Sequence, residues 1–178
     1  MKVLLGASGS IAVTVVPKLA KELKLAGFEV SWIFTKSAAR ILGPSGCLLD
    51  NNHDEYQYYQ DTGKVLHIEL RKEFDLLLLA PLSANTLAKI SNGFCDNVLT
   101  NVARCWDYNK PMILAPAMNT MMWDNPITRS QIKTMGQMGA TFVEPVYKTL
   151  ACGDTGIGAL APTESIIKEV KNVLSFRR

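Results

Sequence analysis

Lys2-Val-Leu-Leu-Gly-Ala-Ser-Gly-Ser10 is the stretch that decides the fold, because it joins a strand pattern to a helix start through a Gly-Ser turn. The apolar run over residues 2–5 predicts a buried strand that ends at Gly6. After Ser10, apolar residues recur at helical spacing up to Gly27, and lysines occupy the opposite face. The apolar face of this predicted helix comprises Ile11, Ala12, Val15, Val16, Leu19, Leu23 and Ala26.

The alternation of strand and helix continues along the chain. Further strands are predicted over residues 28–34, 76–79, 111–114 and 141–143. Further helices are predicted over residues 84–90, 97–104, 127–138 and 163–174, the last with Thr163 as its N-cap. Short loops between alternating elements indicate an α/β fold with a doubly wound, Rossmann-like (flavodoxin-like) parallel sheet and helices on both faces. Sheets of this kind bind ligands beyond the carboxyl ends of their strands.

Length and composition predict one globular domain over residues 1–178. Of the 178 residues, 48% are hydrophobic and 20% charged, and there is no internal repeat and no linker rich in Pro, Gly or Ser. Two segments match the α/β pattern poorly: residues 43–63 are polar and aromatic, and residues 145–162 are rich in glycine. Loops of this length in a compact domain usually serve as lids or partner-binding surfaces.

Charge and cysteine content argue against several classes of protein. A net charge of +3, without a run dense in Lys and Arg, argues against nucleic acid as a partner. No apolar run is long enough to cross a membrane, and lysines follow the apolar N-terminus instead of preceding it, unlike in a signal peptide. The four cysteines show neither a CxxC pair nor zinc-ligand spacing, which favours a reduced, cytoplasmic protein without a metal site.

Two predicted strand ends carry groups that suit a phosphate. The turn over residues 6–10 places backbone amides and hydroxyls at a helix N-terminus, although Gly and Ser also occur in such turns for conformational reasons. The second strand ends in Thr35-Lys-Ser37, which supplies two hydroxyls and a cation. A site of the NAD type requires Asp or Glu there to hold the ribose hydroxyls. These residues therefore favour FMN or NADP over NAD.

The third and fourth strands deliver further hydrogen-bonding side chains to the same edge. Ser83, Asn85 and Thr86 follow the third strand, where they either contact a ligand or cap a helix. The fourth strand ends in Ala115-Pro-Ala-Met-Asn119, followed by two methionines and a tryptophan. Asn119 either makes directional hydrogen bonds in an apolar pocket or simply forms a turn.

Two side chains are candidates for chemistry. His67 lies in an apolar stretch before the third strand, where a lone histidine serves either as a structural residue or as a catalyst. Cys152 lies in Leu150-Ala-Cys-Gly-Asp-Thr-Gly-Ile-Gly158, whose three glycines predict a surface flap that closes on substrate. The remaining cysteines lack such a setting and are interpreted as small hydrophobic residues: Cys47, Cys95 and Cys105.

Several of these stretches together resemble the homo-oligomeric flavin-containing cysteine decarboxylases. The resemblance extends over nearly the whole chain, and the order and spacing of its motifs make it specific. The motifs are Gly6-Ala-Ser-Gly-Ser10, Thr35-Lys-Ser37, His67-Ile-Glu-Leu70, residues 80–100, Pro116-Ala-Met-Asn119 with Met122-Trp123, and Ala151-Cys-Gly-Asp154. They are most similar to the branch of the family that decarboxylates 4'-phosphopantothenoylcysteine to 4'-phosphopantetheine in coenzyme A biosynthesis.

The resemblance implies FMN as cofactor and gives particular residues a role. The implied FMN contacts are Gly6, Ala7, Ser8, Ser10, Thr35, Lys36, Ser37, Ser83, Ala84, Asn85, Thr86 and Ala117. Asn119 matches the family residue that binds the substrate carboxylate. The residues implied to lie beside the substrate are Thr149, Leu150 and Ala151. His67 matches the catalytic histidine, and Cys152 matches the flap cysteine that supplies a proton late in the reaction.

The implied reaction creates the electron sink that a simple amino-acid-derived carboxylate lacks. Oxidation of the cysteinyl thiol to a thioaldehyde, a redox step that the flavin supports, allows carbon dioxide to leave and yields an enethiolate. Reduction and protonation then give the product with no net redox change. The cofactor carries the electronic chemistry, while the protein orients the substrate and stabilises charge.

The resemblance also implies a homotrimer with the site between subunits, and residues 85–104 are the candidate interface. The flap departs from the family pattern at Ala159-Leu160, which puts the contacts made there in question. Three alternatives remain: a peptidyl-cysteine decarboxylase, a flavin prenyltransferase and a phosphatase-regulatory subunit of the halotolerance type. The motif at His67 and the flap motif argue against the first two. The joint presence of His67, Asn119 and Cys152 argues against the third.

Overall fold

The computed structural model describes residues 1–43 and 55–175, which contain a five-stranded sheet, a two-stranded hairpin and the helices around them. The sheet consists of β1 (Lys2–Ala7), β2 (Glu29–Phe34), β3 (Leu76–Leu82), β4 (Met112–Pro116) and β5 (Thr141–Phe142). The hairpin consists of β6 (Val146–Thr149) and β7 (Thr155–Ala159). The α-helices are α1 (Val16–Leu25), α2 (Lys36–Leu42), α3 (Glu55–Thr62), α4 (Leu66–Glu73), α5 (Ala84–Ser91), α6 (Val98–Cys105), α7 (Thr120–Trp123), α8 (Pro126–Gln137) and α9 (Thr163–Ser175).

The five strands are parallel and lie in the order β2-β1-β3-β4-β5. Leu4 of β1 pairs with Ser31 on one side and with Leu77 on the other, so β1 is an inner strand. This is the flavodoxin-like order, and it confirms the predicted fold class. The strand order reverses between β1 and β3, so the crevice beyond their carboxyl ends is where such a fold binds its ligand.

Each face of the sheet carries its own hydrophobic core. Leu76 and Leu78 of β3 face the core built with α1 and α9, whereas Leu77 and Leu79 face the core built with α4, α5, α6 and α8. Successive side chains of a strand point to opposite faces, so a strand covered on both sides needs an apolar residue at every position. The unbroken leucine run of β3 therefore reflects its position inside a three-layer structure.

The predicted elements of the main sheet and its helices agree with the structure to within three residues at each end, with one exception at the first helix. Residues Ile11–Val15 form a 3₁₀ turn, and the α-helix begins only at Val16. Pro17 has no N–H to donate and clashes with a preceding carbonyl, so it belongs in the first turn of an α-helix. Ile11, expected on the apolar face, is consequently exposed.

The prediction of Thr163 as the N-cap of α9 is wrong. The backbone N–H groups of Ser165 and Ile166 donate to the carbonyl oxygen of Pro162, at 3.0 and 3.2 Å. The Thr163 hydroxyl is buried and has no hydrogen-bond partner among the described residues. A backbone carbonyl one residue earlier therefore receives the N–H groups that the sequence pattern assigned to the threonine side chain.

The two segments expected to be long loops are partly regular. Residues 145–162 contain the β6–β7 hairpin, and the end of the 43–63 segment forms α3. The stretch around His67, expected only as an apolar run, is α4. Residues 44–54, which include Cys47, lie outside the described part of the chain.

Candidate active site

Ser8 ties the carboxyl ends of β1 and β3 together. Its hydroxyl donates a hydrogen bond to the carbonyl oxygen of Pro81 (3.0 Å) and accepts one from the backbone N–H of Ser83 (2.7 Å). Its own backbone N–H also donates to Pro81 O, at 3.0 Å. Because the side chain is only 1% exposed and its proton is committed, Ser8 fixes the spacing of the two turns that carry the other predicted residues.

Three of the predicted hydroxyl residues cap the helices at this edge. The Oγ atoms of Ser10, Thr35 and Ser83 each accept a hydrogen bond from a backbone N–H in the following turn, at 3.3 to 3.4 Å. The capping role that the sequence left open for Ser83 is therefore confirmed. Helix starts present N–H groups without intrahelical partners, and these favour anions. Thr86 is buried, and its hydroxyl accepts from Ser83 (3.3 Å).

The first turn and the start of α2 lie in direct contact. A Cβ on Gly9 would lie 2.6 Å from the Cβ of Ser37, so only glycine allows this approach. Lys36 and Ser37 are exposed beside it. Hydroxyls and backbone N–H groups therefore lie at this point, and Lys36 adds a cation at the first position of α2. Such a donor set suits a phosphate monoester such as that of FMN. Gly6 is different, because it is buried on the sheet face, where a Cβ would lie 2.5 Å from Leu79 Cδ2.

The remaining predicted cofactor residues lie at the same edge. Ala117 follows β4 and its backbone N–H donates to Leu82 O at the end of β3 (3.0 Å), which joins the two turns. Asn85 is exposed in the first turn of α5, and Ala84 precedes it. Ala7 is the last residue of β1 and is fully buried. All twelve predicted FMN contacts thus belong to four neighbouring strand ends.

Asn119 caps α7, and this cap fixes the orientation of its side-chain amide. Its Oδ1 accepts a hydrogen bond from the backbone N–H of Met121 (2.8 Å), which leaves the NH₂ group to face outward. Nδ2 donates to Asp154 Oδ2 at 2.6 Å and lies 3.3 Å from Cys152 Sγ. The Cys152 thiol in turn donates to Asp154 Oδ2, at 3.4 Å. The structure therefore brings Asn119 and Cys152 together and adds a carboxylate between them.

Two glycines of β7 allow the hairpin to lie directly against the turn that carries Asn119. A Cβ on Gly158 would lie 2.2 Å from the carbonyl oxygen of Met118, and one on Gly156 would lie 2.6 Å from Thr120 Oγ1. The Met118 N–H donates to Gly158 O at 2.9 Å. Gly156 and Gly158 interrupt the alternation of side chains expected of a strand. They are needed because the backbone of β7 lies so close to the turn that carries Asn119.

The three residues predicted beside the substrate lie at the tip of this hairpin. The Thr149 and Thr155 hydroxyls are hydrogen-bonded across it, at 3.1 Å. The backbone N–H of Leu150 donates to Asp154 O at 2.7 Å and so closes the turn that contains Ala151. The predicted flap is therefore an ordered β-hairpin whose exposed tip faces Asn119.

His67 belongs to a second polar cluster. Its Nδ1 lies 2.6 Å from Glu55 Oε1, and the side-chain NH₂ of Asn101 donates to the same oxygen at 3.3 Å. Within the described residues of one chain, no hydrogen bond or ion pair links His67 to Asn119 or Cys152. The predicted catalytic residues are therefore divided between two clusters of a single chain.

The interpretation of the other cysteines as small hydrophobic residues is correct for one of the two that the structure describes. Cys105 is partly buried, and this burial raises the pKa of its thiol. Its weak S–H bonds to the carbonyl oxygens of Val102 and His67 are in keeping with a packing role. Cys95, in contrast, is exposed.

Across residues 1–43 and 55–175, every helix is too short or too polar to span a membrane. The same residues contain no group of three or more His, Cys, Asp or Glu side chains placed to hold a metal ion.

The sequence pattern did not indicate three polar residues of these clusters. Glu55 and Asn101 lie 12 and 34 residues from His67 along the chain, so no local spacing connects them with it. Asp154 was part of the flap motif and lies only two residues from Cys152, but nothing in the pattern showed that it would contact Asn119. Such contacts depend on which loops the fold brings together.

The chain matches a known protein family over nearly its whole length. A family model described as Flavoprotein matches residues 1–175. The chain belongs to the Flavoprotein family. This flavoprotein is 45% identical over 175 residues to the phosphopantothenoylcysteine decarboxylase of Oryza sativa subsp. japonica. The match covers 96% of this chain and 79% of the rice protein.

Two solved structures resemble this flavoprotein along nearly its whole length. A PPC decarboxylase mutant complexed with pantothenoylaminoethenethiol has a TM-score of 0.90 and 41% identity, with 98% of each chain covered. The FMN binding protein AtHal3 has a TM-score of 0.83 and 41% identity, covering 97% of this chain and 95% of that one. Both likenesses agree with the predicted flavoprotein fold.

Proposed function

We propose that the chain is an FMN-dependent decarboxylase that converts 4'-phosphopantothenoylcysteine to 4'-phosphopantetheine in coenzyme A biosynthesis. One observation carries the proposal: the amide NH₂ of Asn119 already binds a carboxylate and stands beside the free thiol of Cys152. A carboxylate-binding amide next to a proton donor is what the decarboxylation requires. The substrate identity is supported by the rice relative and by the enethiol ligand of the PPC decarboxylase mutant.

FMN would lie in the crevice beyond the ends of β1 and β3. When bound, it supplies the two-electron oxidation that gives a cysteinyl carboxylate its electron sink. Lys36, Ser37 and the helix starts near Ser10 and Thr35 would hold its phosphate, since they combine a cation with N–H and O–H donors. The proposed contacts to the rest of the cofactor are Ala7, Ser83, Ala84, Asn85, Thr86 and Ala117. Gly6 and Ser8 would form the inner wall of the crevice, where Gly6 packs against Leu79 and Ser8 bonds to Pro81.

Asn119 would bind the substrate carboxylate. Its Oδ1 is occupied by the backbone N–H of Met121, so the side chain can present only N–H donors toward the hairpin tip. Those donors bind the carboxylate of Asp154, a contact that supports this assignment. The substrate would take this place, with Thr149, Leu150 and Ala151 beside it.

Cys152 would donate a proton after carbon dioxide has left. Its thiol is free and exposed on the hairpin turn, and Asn119 lies beside it. A proton donor to the carbon that has lost its carboxylate must lie close to the group that held the carboxylate. The contact between these two residues meets this requirement.

His67 would act in the earlier half of the reaction, as an acid–base or charge-stabilising group. The imidazole is 26% exposed near the start of α4. His67 lies against α6, where the Cys105 thiol contacts the His67 carbonyl oxygen at 3.7 Å.

We also propose that the protein is a homotrimer in the cytoplasm, with residues 85–104 in the interface. Phe94, within that segment, is a large aromatic residue that is 64% exposed in one chain. The separation of His67 from Asn119 and Cys152 is expected if two subunits complete one site. The free thiols of the described cysteines are in keeping with a reducing compartment. Light scattering on FMN-loaded protein would test the trimer, and a monomer that keeps its flavin would contradict it.

The decisive experiment follows the reaction by mass. Purified protein with bound flavin is incubated with 4'-phosphopantothenoylcysteine, and we expect loss of carbon dioxide to give 4'-phosphopantetheine. A peptide that ends in cysteine serves as the matched alternative substrate. Turnover of the peptide alone would assign the chain to the peptidyl-cysteine branch. Bound flavin without turnover of either would refute the decarboxylase proposal.

A further inference from the structure

We propose that Glu55 is a positioning residue for His67, which fixes the imidazole in its Nδ1–H tautomer and leaves Nε2 to act on the substrate. This inference rests on the proposed function, because it gives His67 its orientation in that reaction. It concerns a residue that the sequence motifs do not include, on a helix that sequence analysis expected to be a loop.

The proton position follows from the geometry of the pair. His67 Nδ1 and Glu55 Oε1 are 2.6 Å apart, a hydrogen-bond distance. An ionised carboxylate can only accept hydrogen bonds, so the shared proton must be carried by Nδ1. In the neutral ring the other nitrogen then bears a lone pair. Among the described residues Nε2 makes no hydrogen bond, so it is available for a proton from outside the cluster.

Glu55 is itself held in place. The side-chain NH₂ of Asn101, on α6, donates to the same Oε1 at 3.3 Å. On the other side of the pair, the thiol of Cys105, also on α6, contacts the carbonyl oxygen of His67 at 3.7 Å. Helices α3, α4 and α6 therefore converge on the imidazole, and its rotamer and its hydrogen-bond partner are set together.

Partial burial of the pair favours one tautomer of the imidazole. The side chains of Glu55 and His67 are 28% and 26% exposed, so water competes less for their hydrogen bonds than it does at the surface. An imidazole without the carboxylate would sample both tautomers, and the Nε2–H form cannot accept a proton at that nitrogen. The carboxylate thus keeps the ring ready to take up a proton at Nε2 and to return it.

A spectroscopic readout separates this positioning role from that of a tether between α3 and α4. The sequence contains only two histidines, so protein labelled with ¹⁵N in histidine gives two imidazole spin systems. The variant His53→Gln assigns the signals of His67. At a pH where the measured ring shifts report a neutral imidazole, we expect the wild-type His67 ring to be in the Nδ1–H tautomer. The variant Glu55→Gln should shift this ring toward a mixture of tautomers.

Glu69→Gln is the matched control. It removes the same charge two residues from His67, but Glu69 pairs with Lys72 and Lys64 and does not touch the imidazole. We expect Glu55→Gln to lower kcat by about 10- to 100-fold, with KM changed less than about twofold and flavin retained, since acid–base catalysis contributes about 10²- to 10⁴-fold. Glu69→Gln should leave both kcat and the tautomer unchanged.

The tautomer of His67 and the kcat of the Glu55→Gln variant together decide whether Glu55 positions the imidazole. A wild-type His67 in the Nε2–H form, or a Glu55→Gln variant with unchanged tautomer or unchanged kcat, overturns the inference. A fall in kcat together with a tautomer shift supports it. If the wild-type protein holds the Nδ1–H tautomer but does not decarboxylate 4'-phosphopantothenoylcysteine, the proposed function fails, whereas the role of Glu55 in setting the tautomer is supported.

Discussion

The side-chain amide of Asn119 donates a 2.6 Å hydrogen bond to the carboxylate of Asp154, a residue on the opposing hairpin. If Asn119 binds the substrate carboxylate, the flap carries an internal carboxylate at the same position. Substrate binding must then break this bond, and the residue that holds the flap against the site also competes with the substrate.

Asp154→Asn should lower KM for 4'-phosphopantothenoylcysteine by roughly two- to fivefold. A neutral amide oxygen is a weaker acceptor than a carboxylate, so Asn119 is released more easily to the substrate. Steady-state kinetics measure the change. Asp124→Asn, which removes the same charge from the exposed turn after α7, serves as the control and should have no effect on KM. An unchanged KM in Asp154→Asn would show that the two carboxylates do not share a position.

Asn119→Asp should abolish decarboxylation while the protein retains its fold and flavin. Two like charges about 4 Å apart repel by between about 1 kcal/mol in water and about 4 kcal/mol at an effective dielectric of about 20. The new carboxylate would repel both Asp154 and the substrate. Asn125→Asp is a matched control, because Asn125 caps α8 as Asn119 caps α7, and Asp is an equally good N-cap. Near-normal turnover of Asn119→Asp would remove Asn119 from the substrate site.

Cys152→Ser should stop the reaction after carbon dioxide has left. A serine hydroxyl is a far weaker acid than a thiol, so the final protonation fails and the enethiol accumulates. Mass spectrometry detects it, because the enethiol is two hydrogens lighter than the normal product. His67→Asn should instead block the reaction before carbon dioxide is released. Release of ordinary product by Cys152→Ser at normal speed would return Cys152 to a structural role.

Gly158→Ala should displace the hairpin and lower kcat at least about tenfold. The added Cβ would lie 2.2 Å from Met118 O, and no side-chain rotation relieves a clash with backbone. Small displacements of reacting groups cost up to about 10²-fold in rate. Gly136→Ala is the control: it meets nothing within 4 Å on α8, so it should stabilise the fold by about 0.5 kcal/mol and leave kcat unchanged. Equal kcat values for the two variants would mean that the hairpin contact is dispensable.

Lys110→Met should lower the free energy of unfolding by about 1–2 kcal/mol without changing the flavin spectrum. The ammonium of Lys110 donates to Arg71 O and Phe74 O, both at 2.8 Å, at the C-terminal end of α4, and lies 5.7 Å from the centre of the Trp106 ring. A charged donor to the last carbonyls of a helix is stabilising. Denaturant titration measures the loss. Lys133→Met, at an exposed position of α8, should cost less than about 0.5 kcal/mol, and an equal cost would assign no special role to Lys110.

The sequence by itself determined the fold and much of the site, because the signals involved are local. The leucine run of β3 indicates a strand that is covered on both faces. The hydroxyl residues after β1, β2 and β3 can be located from their position at the strand ends alone. Parallel strands bring their carboxyl ends to one edge, so a strand–helix alternation already predicts where these residues gather. The resemblance to a family then supplied the cofactor and the substrate.

Only the tertiary structure decided which polar side chains meet. Glu55 reaches His67, and Asn101 reaches Glu55, because helices α3, α4 and α6 pack together. Asp154 reaches Asn119 because two glycines let β7 touch a distant turn. The same glycines made the hairpin sequence look like an irregular loop, since glycine interrupts the apolar–polar alternation that predicts a strand. Contacts between residues far apart in sequence depend on packing across the whole sheet, so no local sequence pattern predicts them.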